Sequence, residues 1–198
     1  MKPKESTNLV IVFVKNIKMG KVKTRLAKTI GDEAAFQVYN KLVNITEQAT
    51  EKLTIDRRIY FSDAIVDSKW PNDSKEVQRG KDLGERMLNA FIEGFNDGYK
   101  NIVLIGSDLP DISSVIIENA FAQLKNNDVV FGPAEDGGYY LVGMSKTHRQ
   151  IFKNKPWSQP NLLKITLDEL KENDVAILEI LNDIDTLEDL KKSKLYKG

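Results

Sequence analysis

The sequence predicts an α/β fold, a three-layer sandwich of helices on both faces of a mixed, mostly parallel sheet. Three observations carry that prediction. Short apolar runs rich in β-branched residues recur at 9–14, 101–105 and 128–131. Segments with apolar residues at helical spacing separate them, and cap-forming residues stand just ahead of several of those segments. Strands that alternate with helices in this way build a parallel sheet covered on both faces.

The run 9–14 is continuous and apolar, as expected of a strand buried on both faces. A basic loop is expected over 15–28. Asp32 opens a helix whose inward positions are Ala35, Val38, Tyr39, Leu42, Val43, Thr46 and Ala49. A second strand is expected at 58–61, a polar loop over 62–74, and a short extended segment at 75–78. Asp82 caps the next helix, with Glu85 three positions on as in a capping box. The inward face of that helix is expected to hold Leu83, Met87, Leu88, Phe91 and Phe95. After the strand at 101–105, Ser113 or Ser114 caps a helix running through Leu124. Strands at 128–131 and 139–142 flank Asp136-Gly137-Gly138, a turn signal that predicts one antiparallel excursion. Pro160 suits the first turn of a helix reaching to Lys171. An extended segment at 175–180 and a helix capped by Thr186 and Asp189 complete the pattern. No repeat, low-complexity tract or Pro/Gly-rich linker interrupts the 198 residues, which predicts a single domain over 1–198.

Composition narrows the chemistry. The 29 basic and 29 acidic residues cancel, so the global positive excess of a nucleic-acid binder is missing. Cysteine is absent, which removes disulfides, thiolate catalysis and cysteine-bound zinc. The polar start and the shortness of the apolar runs predict a cytoplasmic protein with no membrane span. His148, the only histidine, lies in a polar stretch and is expected at the surface.

Four constellations carry chemistry. Lys15, Lys18, Lys21, Lys23, Arg25 and Lys28 form an acid-free basic segment directly after the first strand. Ligands of open α/β sheets bind beyond the carboxyl ends of strands, and several cations on one loop suit a di- or triphosphate. Gly20 permits an unusual backbone or a close approach to the ligand. The spacing is not that of a P-loop. The alternative is a solvated basic loop, and the position after the first strand favours phosphate binding.

Second, Asp108 ends the apolar strand 101–105 in Gly106-Ser107-Asp108-Leu109-Pro110, where a carboxylate is placed to ligate magnesium or manganese. A turn aspartate capping local amides explains it equally well. Third, Asp183 and Asp185 alternate ahead of the last helix. Asp185 is a candidate second metal ligand, although favourable charge at a helix start accounts for it alone. Fourth, in Gly132-Pro133-Ala134-Glu135-Asp136-Gly137-Gly138-Tyr139-Tyr140, Asp136 is a candidate base within a turn. Gln78, Gly80 and Gly84 are candidate nucleotide contacts, and Gly137, Gly138, Tyr139 and Trp157 candidate walls of an acceptor pocket. Helix capping and ordinary packing compete with those assignments.

These motifs, in order over about residues 9 to 190, resemble a bacterial family of nucleotide-diphospho-sugar transferases, some assigned to arsenosugar biosynthesis. Val22-Lys23-Thr24-Arg25-Leu26 is also similar to a segment of 2-phospholactate guanylyltransferase, and the strand-end Asp108-Leu109-Pro110 to the metal site of molybdenum-cofactor guanylyltransferases. The resemblance implies a Rossmann-like GT-A fold, with a divalent metal (Mg2+ or Mn2+) on Asp108 and Asp185 and phosphates on Lys15, Lys23 and Arg25. Two departures stand out. Ile17 and Met19 replace a proline-containing Lys-x-Pro-x-x-Gly run, and one acid replaces the strand-end Asp-x-Asp of many glycosyltransferases. The expected partners are a nucleotide or nucleotide-sugar and a small acceptor. The expected activity is glycosyl transfer, with Asp108, Asp136, Lys23 and Arg25 as the catalytic groups. Nucleotidyl transfer, which the dense basic loop favours, and a non-catalytic nucleotide-binding module are the alternatives.

Overall fold

Strand β1 (Asn8–Val14) runs through the middle of the molecule with alternating side chains sent to two separate cores. Val10, Val12 and Val14 face one and Leu9, Ile11 and Phe13 the other, as the period of two requires. A computed structural model describes residues 6–196.

The chain then forms α1 (Thr24–Ile30), α2 (Asp32–Glu51), β2 (Asp56–Phe61), β3 (Ser74–Val77), α3 (Leu83–Asn96) and β4 (Asn101–Ile105). It continues through α4 (Ser114–Gln123), β5 (Val129–Pro133), β6 (Tyr139–Met144), a 3-10 turn at Arg149–Ile151, α5 (Leu162–Asp168), β7 (Val175–Ile177) and α6 (Leu187–Lys192). The sheet order is β3-β2-β1-β4-β6-β5-β7. All pairings are parallel except those of β6 with β4 and with β5, so the antiparallel excursion lies where Asp136-Gly137 predicts it. Helices α1, α2, α4 and α6 contribute to one core, and α3, α5 and the 3-10 turn cover the opposite face. The result is the expected three-layer mixed α/β sandwich.

This order creates the binding crevice. The chain builds outward from β1 to β2 and β3, then returns to place β4 on the other side of β1. The loops after β1 and β4 therefore diverge, which opens a cleft at the topological switch point. Because β6 is antiparallel, its start lies at the same sheet edge as the ends of β4 and β5. The segment after β7 reaches that edge too, through a parallel bridge between Ala134 and Leu181.

Several expectations are corrected. The basic segment is not loop throughout: its second half forms α1, anchored by fully buried Leu26 among good helix formers. Leu83 is 45 % exposed, because it lines a surface cavity instead of packing into the core. The helix expected from Pro160 to Lys171 is shorter and starts at Leu162, since Gln159–Asn161 form a turn first. Of the extended segment expected over 175–180, Val175–Ile177 pairs as a strand. The polar loop 62–74 hides a core residue, Trp70, whose indole donates to Thr50 Oγ1 at 2.8 Å. His148 is buried, not at the surface, and burial pushes its pKa down. Among the described residues no helix is long and apolar enough to cross a membrane.

Candidate active site

Lys23 ends the basic loop in a left-handed backbone conformation (φ 47°) as the residue preceding α1. That geometry is costly for a residue with a Cβ, and it turns the side chain inward. Its ammonium lies 3.1 Å from Asp108 Oδ2 and 2.9 Å from Asp185 Oδ1, with only 5 % of the side chain exposed. Burial alone pulls the Lys23 pKa down, but attraction to Asp108 and Asp185 outweighs it and leaves the group firmly charged. Arg25, largely exposed on the first turn of α1, approaches Asp185 Oδ2 at 3.7 Å.

Asp108 stands at the carboxyl end of β4 and Asp185 just ahead of α6, whose capping box joins Thr186 and Asp189. Asp183 completes the group. One carboxylate oxygen from each of Asp108, Asp183 and Asp185 lies within 4.8 Å of the others. Burial, then repulsion from Asp108 and Asp185, pushes Asp183 up to about 7. The cluster thus holds more negative charge than Lys23 offsets, and its hard oxygen donors suit magnesium or manganese. Sequence reasoning named Asp185 as a ligand and passed over Asp183. The signal was the alternation itself: in extended backbone, positions two apart share a face.

The start of the basic loop is tied to the acidic strand end. The Tyr39 hydroxyl accepts from Lys15 N and donates to Lys15 O, both at 3.0 Å, and lies 3.1 Å from Ser107 Oγ beside Asp108. Burial pushes the Tyr39 phenol up to about 12, so it stays protonated. Buried Asn16 clamps the neighbouring loop by donating to Ala64 O and accepting from the backbone amide of Asp63. Neither residue was singled out from sequence as part of the site.

A cavity of about 200 Å3 opens beside Asp108 and Asp183. Asp136, Gly138, Tyr139 and Trp157 are among the residues that line it. Asp136 accepts from Gly138 N at 2.8 Å and so shapes the turn as well. Gly137 sits behind the wall: with φ 87°, it packs so closely on Pro160 that a Cβ would fall 2.0 Å from Pro160 O. Gly84 is likewise a packing residue, where a Cβ would meet Phe152 O at 2.2 Å and the Trp157 ring at 2.6 Å. Gln78 donates to Tyr60 O at 3.0 Å, and Gly80 packs against the backbone of α3. Lys15 is exposed, and its described bonds are made by its backbone. The structure therefore gathers Lys23, Arg25, Asp108, Asp183 and Asp185 at one point, with Asp136 and Trp157 across the adjoining cavity.

Comparison with known proteins agrees with this architecture. Residues 42–159 match a family model described as an uncharacterized protein conserved in bacteria, DUF2064. The crystal structure of a protein from Desulfovibrio desulfuricans G20, provisionally described as a nucleotide-diphospho-sugar transferase, is 33 % identical with a TM-score of 0.88; the match covers 93 % of this chain and 85 % of that one. The inositol-1-phosphate CTP transferase of T. maritima matches at 14 % identity and TM-score 0.55 over 94 % and 92 % of the two chains. The 4-diphosphocytidyl-2C-methyl-D-erythritol synthase of Anaerococcus prevotii DSM 20548 matches at 10 % identity and TM-score 0.57 over 96 % and 99 %. At such identities the likeness is one of fold. A search of curated proteins finds no match.

Proposed function

The chain belongs to the DUF2064 family, and from that premise and the charges converging in its cleft we propose a metal-dependent transferase that moves the sugar of a nucleotide-diphospho-sugar to a small acceptor. The observation that carries the proposal is the meeting of Lys23 with Asp108 and Asp185, beside Asp183 and next to an open cavity. A cleft that combines fixed cations with a cluster of carboxylate donors at a strand-end switch point suits a diphosphate and its counter-ion. The relative from Desulfovibrio desulfuricans G20, at 33 % identity, supports the same substrate class.

In this reading Asp108, Asp183 and Asp185 hold a divalent ion, which supplies positive charge to the departing diphosphate. Lys23 and Arg25 add fixed charge from the start of α1, where it stabilises the leaving group without reorganisation. Asp136, facing the cavity, accepts the proton of the attacking hydroxyl. Tyr39 and Asn16 hold the phosphate-binding loop against β4 and the loop after β2. The cysteine-free composition suits a reducing compartment such as the cytoplasm.

Nucleotidyl transfer is the second reading. It is favoured by the six basic residues between Lys15 and Lys28, enough to meet a triphosphate. Products separate the two. With labelled nucleotide-sugars, Mg2+ or Mn2+ and a mixed acceptor pool, release of nucleoside diphosphate supports glycosyl transfer. Pyrophosphate released from a nucleoside triphosphate supports the second reading instead. Tight nucleotide binding with neither product would leave a binding module and remove both.

A further inference from the structure

The cavity beside Asp108 and Asp183 is unusual in its charge for a protein that handles phosphates. Among the described residues that line it are three aspartates, Asp108, Asp136 and Asp183, and no lysine, arginine or histidine. Apolar side chains, Met87, Leu109 and Leu162, and the Trp157 ring also line it. Lys23, which touches Asp108, is already committed to Asp108 and Asp185 and has 5 % of its side chain exposed. Lys18, on the basic loop, is paired outside the cavity with Asp63 at 3.1 Å.

Counting formal charges decides what can enter. Fully ionised, Asp108, Asp136, Asp183 and Asp185 carry four negative charges. Lys23, Arg25 and one divalent ion cancel them, and the diphosphate of a bound nucleotide then tips the site negative. A second phosphate in the cavity would find no positive partner and would stand among like charges, an arrangement that rejects ligands strongly. An uncharged polyhydroxylated ring suits this lining: Trp157 and Met87 offer apolar surface to its C–H face, and the Asp136 carboxylate, which can only accept, offers an acceptor to its hydroxyls.

We infer that this cavity takes an uncharged, hydroxyl-rich small molecule, a sugar or similar polyol, and excludes phosphorylated counterparts. The inference rests on the proposed transferase reading and narrows it, because it makes the acceptor's nucleophile a hydroxyl and not a phosphate. The occupant has two sources, the sugar of the bound donor or a free acceptor.

Trp157 provides the measurement. The chain has two tryptophans, and Trp70 is fully buried in the core, so a ligand-induced change in emission reports Trp157, with Trp157→Phe as control. The intact protein, with Mg2+ and UDP or GDP, is titrated with glucose and with glucose 6-phosphate, then with glycerol and glycerol 3-phosphate. The neutral member of at least one pair is expected to shift the emission at concentrations at least about tenfold below its phosphate ester. Asp136→Asn is expected to narrow that gap. A nucleotide-sugar that shifts Trp157 and blocks the free sugar identifies the donor ring as occupant; additive binding identifies the acceptor.

Equal or tighter binding of the phosphate esters to the unaltered protein overturns the inference, as does silence from every neutral probe. Nucleotide binding is followed separately by calorimetry. Its failure with neutral probes still selected would sink the transferase reading and leave the cavity's charge selectivity standing.

Discussion

The Lys23 ammonium lies 2.9 Å from an Asp185 carboxylate that is 162 positions away along the chain. The contact joins the end of the basic loop to the segment before the last helix. It also makes Lys23 the cation of an acidic cluster that would otherwise repel itself.

Lys23→Met removes that cation while keeping most of the side-chain volume. Without added metal the variant should lose about 1–3 kcal/mol of stability, less than a fully buried pair would because Asp108 and Asp185 keep 40 % and 41 % exposure. Magnesium should restore its Tm by more than it raises that of the unaltered protein. Nucleotide binding should weaken in both Lys23→Met and Arg25→Ala, more at low salt than at high salt. An unchanged Tm in Lys23→Met would show that the cluster needs no internal cation.

Asp108→Asn keeps the shape of the strand end and removes one charge from the ligand set. Turnover in saturating Mg2+ should fall by at least about a hundredfold, with the far-UV circular dichroism spectrum unaltered. Retained activity would disconnect the cluster from the chemistry.

Asp183 sets a pH dependence in the metal-free protein. Its carboxyl is held up to about 7 against an ordinary value of 3.8. The folded state therefore keeps a proton that the unfolded chain releases between those values. Stability from the protonated form is complete below about pH 4 and is lost as pH rises toward 7. Asp183→Asn should flatten this part of the Tm profile between about pH 4 and 7. Metal affinity should rise over the same window, since the ion displaces the proton. Identical Tm profiles for both proteins would refute the assignment.

Tyr39→Phe deletes a hydroxyl bonded to both backbone groups of Lys15 and adjacent to Ser107. The expected cost is about 1–2 kcal/mol, because the Lys15 amide and the Ser107 hydroxyl lose a partner in a confined space. Nucleotide affinity should fall with it, since the loop is no longer tied to β4. Calorimetry showing full affinity would limit Tyr39 to stability.

Gly84→Ala tests the back of the cavity. A Cβ placed 2.2 Å from Phe152 O forces α3 away from the segment that carries Trp157. A loss of about 1–3 kcal/mol and a shift in Trp157 emission are expected. Unperturbed emission would show that the segment yields without moving the ring.

The sequence by itself determined the layers and most of the motifs' addresses. Apolar runs such as that ending at Val14 and the caps at Asp82 and Thr186 are local properties, written in neighbouring residues. The strand-end position of Asp108 and the turn at Asp136-Gly137 were legible for the same reason. Only the tertiary structure decided which charges meet. That Lys23 bridges Asp108 and Asp185, that Asp183 belongs with them, and that His148 is buried all depend on pairings between distant segments. Gly84 and Gly137 show the same limit, since each is required by a backbone atom far off in sequence or across a loop. Sheet order placed β1 beside β4 and brought the segment after β7 to the same edge. Periodicity within a segment carries no record of that order, because the free energy that selects it comes from burying whole faces against one another.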